Sequence, residues 1–232
     1  MISDPRRLFR PLALVACLAA VVPGTATAAS VYGFACFRAS DGAANCAAAA
    51  SQVFMDVIDA GANQVLFRFR NTGPVPFAVT EIYFDDGTLL GISSIQDAPA
   101  SGVDFRQGAD PSNLPGANEL VPVFQTTGSG VQAFSAEPVQ PPSQNGVNPG
   151  EQVGILFNLL AGKTHADTLA ALGLAGAAGG LRVGLRAQAF ADDGSISLIN
   201  GAAPIPLPAA AWLMLSGLAG LAVLRRRRSP NA

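Results

Sequence analysis

Residues 64–70 (QVLFRFR) and 181–190 (LRVGLRAQAF) alternate between apolar and polar side chains with a period of two. Val65, Phe67 and Phe69 oppose Arg68 and Arg70. Leu181, Val183, Leu185, Ala187 and Ala189 oppose Arg182, Arg186 and Gln188. Successive side chains reach opposite faces only along an extended chain, so each run is read as a strand with one face on a core.

The rest of the chain fits this frame. Residues 53–59 pair with 64–70 as a hairpin, through the turn residues Ala60-Gly61-Ala62-Asn63. Residues 77–85 and 89–95 read as a second hairpin, joined by Asp86-Gly87. Their apolar residues fall on both faces, which suits a central strand between two layers. Residues 30–37, 119–124, 131–134, 152–160 and 195–199 read as further strands, with long loops at 97–118 and 140–150. Residues 41–51 suit a loop or a short helix, and Thr164 caps a helix over 165–172 with Asp167 in its first turn. Nine or so strands and one short helix predict a mainly β fold, an antiparallel β-sandwich of jelly-roll-like type.

The two ends carry targeting chemistry. Arg6, Arg7 and Arg10 precede a twelve-residue apolar stretch, and Ala26-Thr27-Ala28 offers the small-x-small pattern of a signal peptide over 1–28, cleaved before Ala29. A lipobox reading at Cys17 would leave too short an apolar core, so Cys17 is expected to leave with the signal peptide. Export through the secretory translocon, with cleavage by signal peptidase, places residues 29–203 in an oxidising compartment. Cys36 and Cys46 are then expected to form a disulfide; a metal site is disfavoured because no His or third Cys lies near them. At the other end, 209–224 (AAAWLMLSGLAGLAVL) would span roughly 24 Å as a helix, and counting from Ile205 brings it to membrane length. Arg225, Arg226, Arg227 and Arg228 hold its inner end in the cytoplasm, and Trp212 suits the outer interface. Residues 229–232 are a short tail.

Ile205, Pro206, Leu207, Pro208 and Ala209, then an apolar helix, then the arginine cluster, resemble the VPLPA variant of the PEP-CTERM sorting signal over 204–228. Ile205 stands where that variant has Val, and no Pro-Glu-Pro occurs. The resemblance implies an exosortase as processing partner, anchorage in the inner membrane through the helix, and a Gram-negative producer of exopolysaccharide. The body also resembles the region upstream of such signals, through FRFRNTG (67–73), YFDDGTLLGI (83–92), QGADPSNLPG (107–116), GVNPGEQVGILF (146–157) and LRVGLRAQAFADDGS (181–195). No activity comes with that resemblance.

Between Ala29 and Pro208 the chain carries seven basic and fifteen acidic side chains, a net charge near −8. Such a body has no basic patch for nucleic acid. His165 is the only histidine and lacks the nucleophile context of a triad, so it is read as a surface or cap residue. Asp85-Asp86-Gly87 and Asp192-Asp193-Gly194 are read first as turns. Their carboxylates are the candidate ligands for calcium, the one cofactor this chemistry would suit; otherwise none is expected. Paired carboxylates could also serve glycoside hydrolysis, but no apolar pocket is evident around either pair. The sequence therefore predicts a non-catalytic, exported protein of the cell surface or biofilm matrix, associated with exopolysaccharide. The alternative is a carbohydrate- or calcium-dependent binding module.

Overall fold

The computed structural model describes residues 29–38, 40–85, 90–98, 101–126, 134–174, 180–201 and 203–204, those of 90–93 by backbone alone. The signal peptide, the sorting motif from Ile205 to Arg228, Ala26, Ala28 and Asp86 lie outside them, while Ala29 is the first described residue. Among the described residues no helix is long and apolar enough to cross a membrane.

Ten strands follow in order: β1 (Ser30–Cys36), β2 (Val53–Gly61), β3 (Gln64–Asn71), β4 (Ala78–Asp85), β5 (Leu90–Gln96), β6 (Phe105–Gln107), β7 (Phe134–Pro138), β8 (Gln152–Leu159), β9 (Arg182–Gln188) and β10 (Ile196–Asn200). All pair antiparallel in one sheet of order β5-β8-β3-β2-β1-β10-β9-β4-β7-β6, nearly closed into a barrel. β1 makes the sheet continuous. Its residues 30–33 pair with β2 and its residues 34–36 with β10. The outermost strands β5 and β6 approach through the Ala98–Val103 bridge.

The alternating residues fill the interior. Phe67 and Phe69 of β3 and Phe157 of β8 meet Phe84 of β4 and Phe134 of β7. Phe84 sits at the centre, with ring centroids 4.9 Å from Phe157, 5.1 Å from Phe67, 5.8 Å from Phe134 and 6.1 Å from Phe69. Edge-on rings at such separations favour packing beyond the burial itself. The halves of the sheet are thus held face to face by one aromatic cluster.

Several expectations are corrected. β4 and β5 do not form a hairpin, because β4 pairs with β7 and β9 while β5 pairs with β8. Residues 119–124 are not a strand but a single 3-10 turn (Ala117–Glu119) and irregular chain. Instead of one helix there are three among the described residues: α1 (Ala43–Gln52), the short α2 (Pro142–Asn145) and α3 (His165–Gly173). α1 forms because seven of its ten residues are Ala or Gln, which cost little as helix, and Ala49 buries against the core. α3 starts as the sequence predicts: Thr164 Oγ1 accepts from the Asp167 amide while Asp167 Oδ2 accepts from the Thr164 amide.

Candidate functional site

The sequence candidates are scattered. Cys36, at the end of β1, and Cys46, in α1, form a disulfide with Cα atoms 5.7 Å apart. Asp41 lies beside them, its Oδ2 accepting from the Ser197 amide at 3.0 Å. With both sulfurs in the disulfide, this cluster offers no thiolate to a metal.

Asp85 and Asp192 are each already engaged. Asp85 receives the Arg182 guanidinium through Nε and Nη2, and the Gln125 amide at 3.3 Å. Asp192 accepts from Asn45 Nδ2 at 3.0 Å and from the Gly194 amide at 3.0 Å. These bonds hold its carboxyl below the usual range, the Asn45 amide contributing most. Asp193 takes a left-handed turn conformation, φ 57°. Asp85 faces the first residue of β9, whereas Asp192 follows its last, so the fold separates the two turns by about 20 Å of strand. They do not converge on one ion.

His165 begins α3 and lines a shallow cleft of about 280 Å³ with Asp59, Gly61, Ala62, Asn63, Gln64, Leu159 and Thr164. Its Nε2 is buried without a hydrogen-bond partner. Neither a serine nor a cysteine lines that cleft, and the Thr164 hydroxyl in it donates to Asp167 Oδ2 at 2.7 Å in the helix cap.

The densest polar chemistry is on the outer face of β4, β7 and β9, which the sequence reading missed. The strand registers put Arg186, Glu81, Glu137 and Arg106 in one row across β9, β4, β7 and β6. The two central carboxylates are buried, and each has an arginine on its outer side: Arg186 Nη1 donates to Glu81 at 3.3 Å, and Arg106 to Glu137 at 3.1 Å. Tyr83 Oη donates to Glu81 Oε2 at 2.7 Å and shares its proton with the Pro111 carbonyl at 2.9 Å. Burial pushes the Glu81 carboxyl up, against the lowering pull of Tyr83 and Arg186. Burial, then the Glu81 charge, pushes the Tyr83 phenol up, so it remains a donor.

What buries the centre of this row is a strap, residues 108–126, laid across the sheet; Arg106 at the end of the row stays exposed. Asp110 donates its amide to Glu137, Ala109 to Ser135 Oγ, and Arg182 Nη2 donates to the Val123 carbonyl at 2.8 Å. Leu114 and Phe124 pack with Tyr83 and Ala117 into a second, smaller core outside the sheet. Gly184 makes the approach possible, since a Cβ there would lie 2.6 Å from Leu114 Cδ2.

Among the described residues, no such cover lies on the opposite outer face, on β2, β3 and β8. There Asp56 is buried and accepts from both Arg68, at 2.7 Å through Nη2, and Arg70, at 3.2 Å through Nε. The Arg70 guanidinium stands 4.9 Å from the Phe54 ring centroid. Compared with known protein families, with curated proteins and with solved structures, the chain finds no match.

Proposed function

We propose that the chain is an exported, exosortase-sorted protein of the cell surface or extracellular matrix of a Gram-negative exopolysaccharide producer, and that its role is structural rather than catalytic. The observation that carries this is the tail: Ile205 to Ala209, an apolar run to Leu224, then Arg225 to Arg228. Together with the signal peptide it gives a topology of body outside and arginines inside. Transfer by the exosortase near Pro208 then removes the anchor and frees the acidic body. The Cys36–Cys46 disulfide supports this reading, because such bonds persist in oxidising compartments. The rolled sheet is read more finely as a jelly-roll-like sandwich flattened around its phenylalanines, with β1 passing between the halves.

Mass spectrometry of the mature protein tests the proposal. The outer fraction should hold a chain that begins at Ala29 and lacks Arg225 to Arg228. An intact C-terminus there would overturn exosortase processing.

A second reading, a carbohydrate-binding module, is favoured by one observation: the uncovered face bearing Arg68, Arg70 and Phe54. Calcium has less support, since Asp85 is neutralised by Arg182 and Asp192 is occupied by Asn45.

A further inference from the structure

Among the described residues, one carboxylate alone is shared by two arginines, whereas every other paired arginine has a carboxylate of its own and Arg38 has a second, Asp41, at 3.9 Å. Arg38 has Glu119, Arg106 has Glu137, Arg182 has Asp85 and Arg186 has Glu81. Arg68 and Arg70 share one carboxylate, Asp56. The Asp56 side chain is 4% exposed, whereas those of Arg68 and Arg70 are 38% and 30% exposed. A buried anion thus underlies two outward guanidiniums, and one positive charge is left over. Asp56 engages the Nε–Nη2 edge of both arginines, and Nη1 of each makes no hydrogen bond among the described residues. That leaves the outer edge of each fork free for a planar carboxylate.

We propose that this face of β2, β3 and β8 binds an acidic saccharide of uronic acid type, with Arg68 and Arg70 taking its carboxylates. The arginines are two residues apart on one strand, about 7 Å. Asp56 fixes both, and the Phe54 ring also fixes Arg70, before any ligand arrives, which lowers the ordering cost of binding. Around them the registers bring exposed amide and hydroxyl groups to the same face: Gln152 opposite Arg70, Gln96 beyond Gly154 opposite Arg68, and Ser94 one position along. A face of guanidinium, amide and hydroxyl groups with half-buried Leu66 and Leu156 between them suits the mixed polar and apolar surface of a sugar ring, whereas an extended peptide would seek a strand edge.

This inference specifies the ligand of the binding-module reading and does not depend on sorting by the tail. It is tested with the purified full chain by isothermal titration calorimetry against polygalacturonate oligomers, with neutral dextran oligomers as control. Binding to the uronate oligomers should weaken as salt rises, and dextran should not bind. Arg68→Gln and Arg70→Gln should each weaken binding at least tenfold, while Lys163→Gln, at an exposed site elsewhere, should not. Should a variant fold poorly, the wild-type guanidinium Nε–H resonances give the second readout, and those of Arg68 and Arg70 should shift on titration. Dextran binding, or uronate binding indifferent to both arginines, would overturn this site while leaving a binding module. No binding to either glycan would overturn both.

Discussion

Replacing Tyr83 by Phe removes one buried oxygen and keeps the ring in its place between sheet and strap. The lost hydroxyl donates to Glu81 at 2.7 Å and shares its proton with the Pro111 carbonyl at 2.9 Å. A hydrogen bond to a charged partner is worth about 1.5–3 kcal/mol, and both acceptors would be left under the strap without a donor. At roughly 2–4 °C per kcal/mol for a domain of this size, Tm should fall by about 3–12 °C near neutral pH. The pH dependence is the sharper test. The folded Glu81 carboxyl is raised above its ordinary 4.5, chiefly by burial, while the Tyr83 hydroxyl lowers it. A raised carboxyl contributes stability that is fully present below its unfolded value and is lost as pH rises through its folded value. Removing the hydroxyl raises the folded value further, and each unit of extra displacement costs about 1.4 kcal/mol once the group ionises. The gap between wild type and Tyr83→Phe should therefore be smallest below pH 4.5, widen as Glu81 ionises, and then level off. Asp167 and Asp192 have lowered carboxyls and lose stability in the opposite direction, as pH falls below 3.8, but equally in both proteins. Urea unfolding of both proteins from pH 4 to 8 measures the gap. A constant gap across that range, or one under about 0.5 kcal/mol at neutral pH, would refute the reasoning.

Three further outcomes are expected. Phe84→Ala should cost about 3–5 kcal/mol by urea unfolding, because the ring touches four phenylalanines across the core; Phe84→Leu should cost clearly less. Asn71→Ala should cost at least about 2 kcal/mol and speed amide exchange over residues 72–77, since Asn71 joins buried Gln52 at 2.9 Å to the Phe77 carbonyl at 3.1 Å. Replacing Cys36 and Cys46 by Ser should cost roughly 3 kcal/mol through the freed loop, and wild-type protein should take up alkylating reagent at these positions only after reduction.

Local patterning made some of this fold legible and left the rest hidden for a physical reason. The hairpin of β2 and β3 and the start of α3 are short-range events, written in turn residues and in the Thr164–Asp167 cap. Asp86-Gly87 is an equally good local cue and misleads, because β4 takes its partners, β7 and β9, from far along the chain. The row of Arg186, Glu81, Glu137 and Arg106 is invisible without those long-range registers, since no two of its members are near in sequence.

The two runs of alternating residues show most clearly where local reading stops. By alternation alone, Arg68 and Arg70 on β3 are equivalent to Arg182 and Arg186 on β9: polar residues on the outer face of a strand. In the fold, the Arg182 side chain is 8% exposed and that of Arg68 is 38% exposed. The difference comes from a third segment. Residues 108–126 cross β9, where Gly184 leaves room for Leu114, and they anchor on Tyr83, Glu137 and Arg182. Across β3 no comparable segment lies among the described residues. On one polar face Glu81, Glu137 and Arg182 have thereby become interior, each guanidinium of the row keeping its own carboxylate, while Arg106 at the sheet edge stays exposed. The other keeps a shared carboxylate, a surplus charge and access to solvent, which are the properties a ligand-binding face requires.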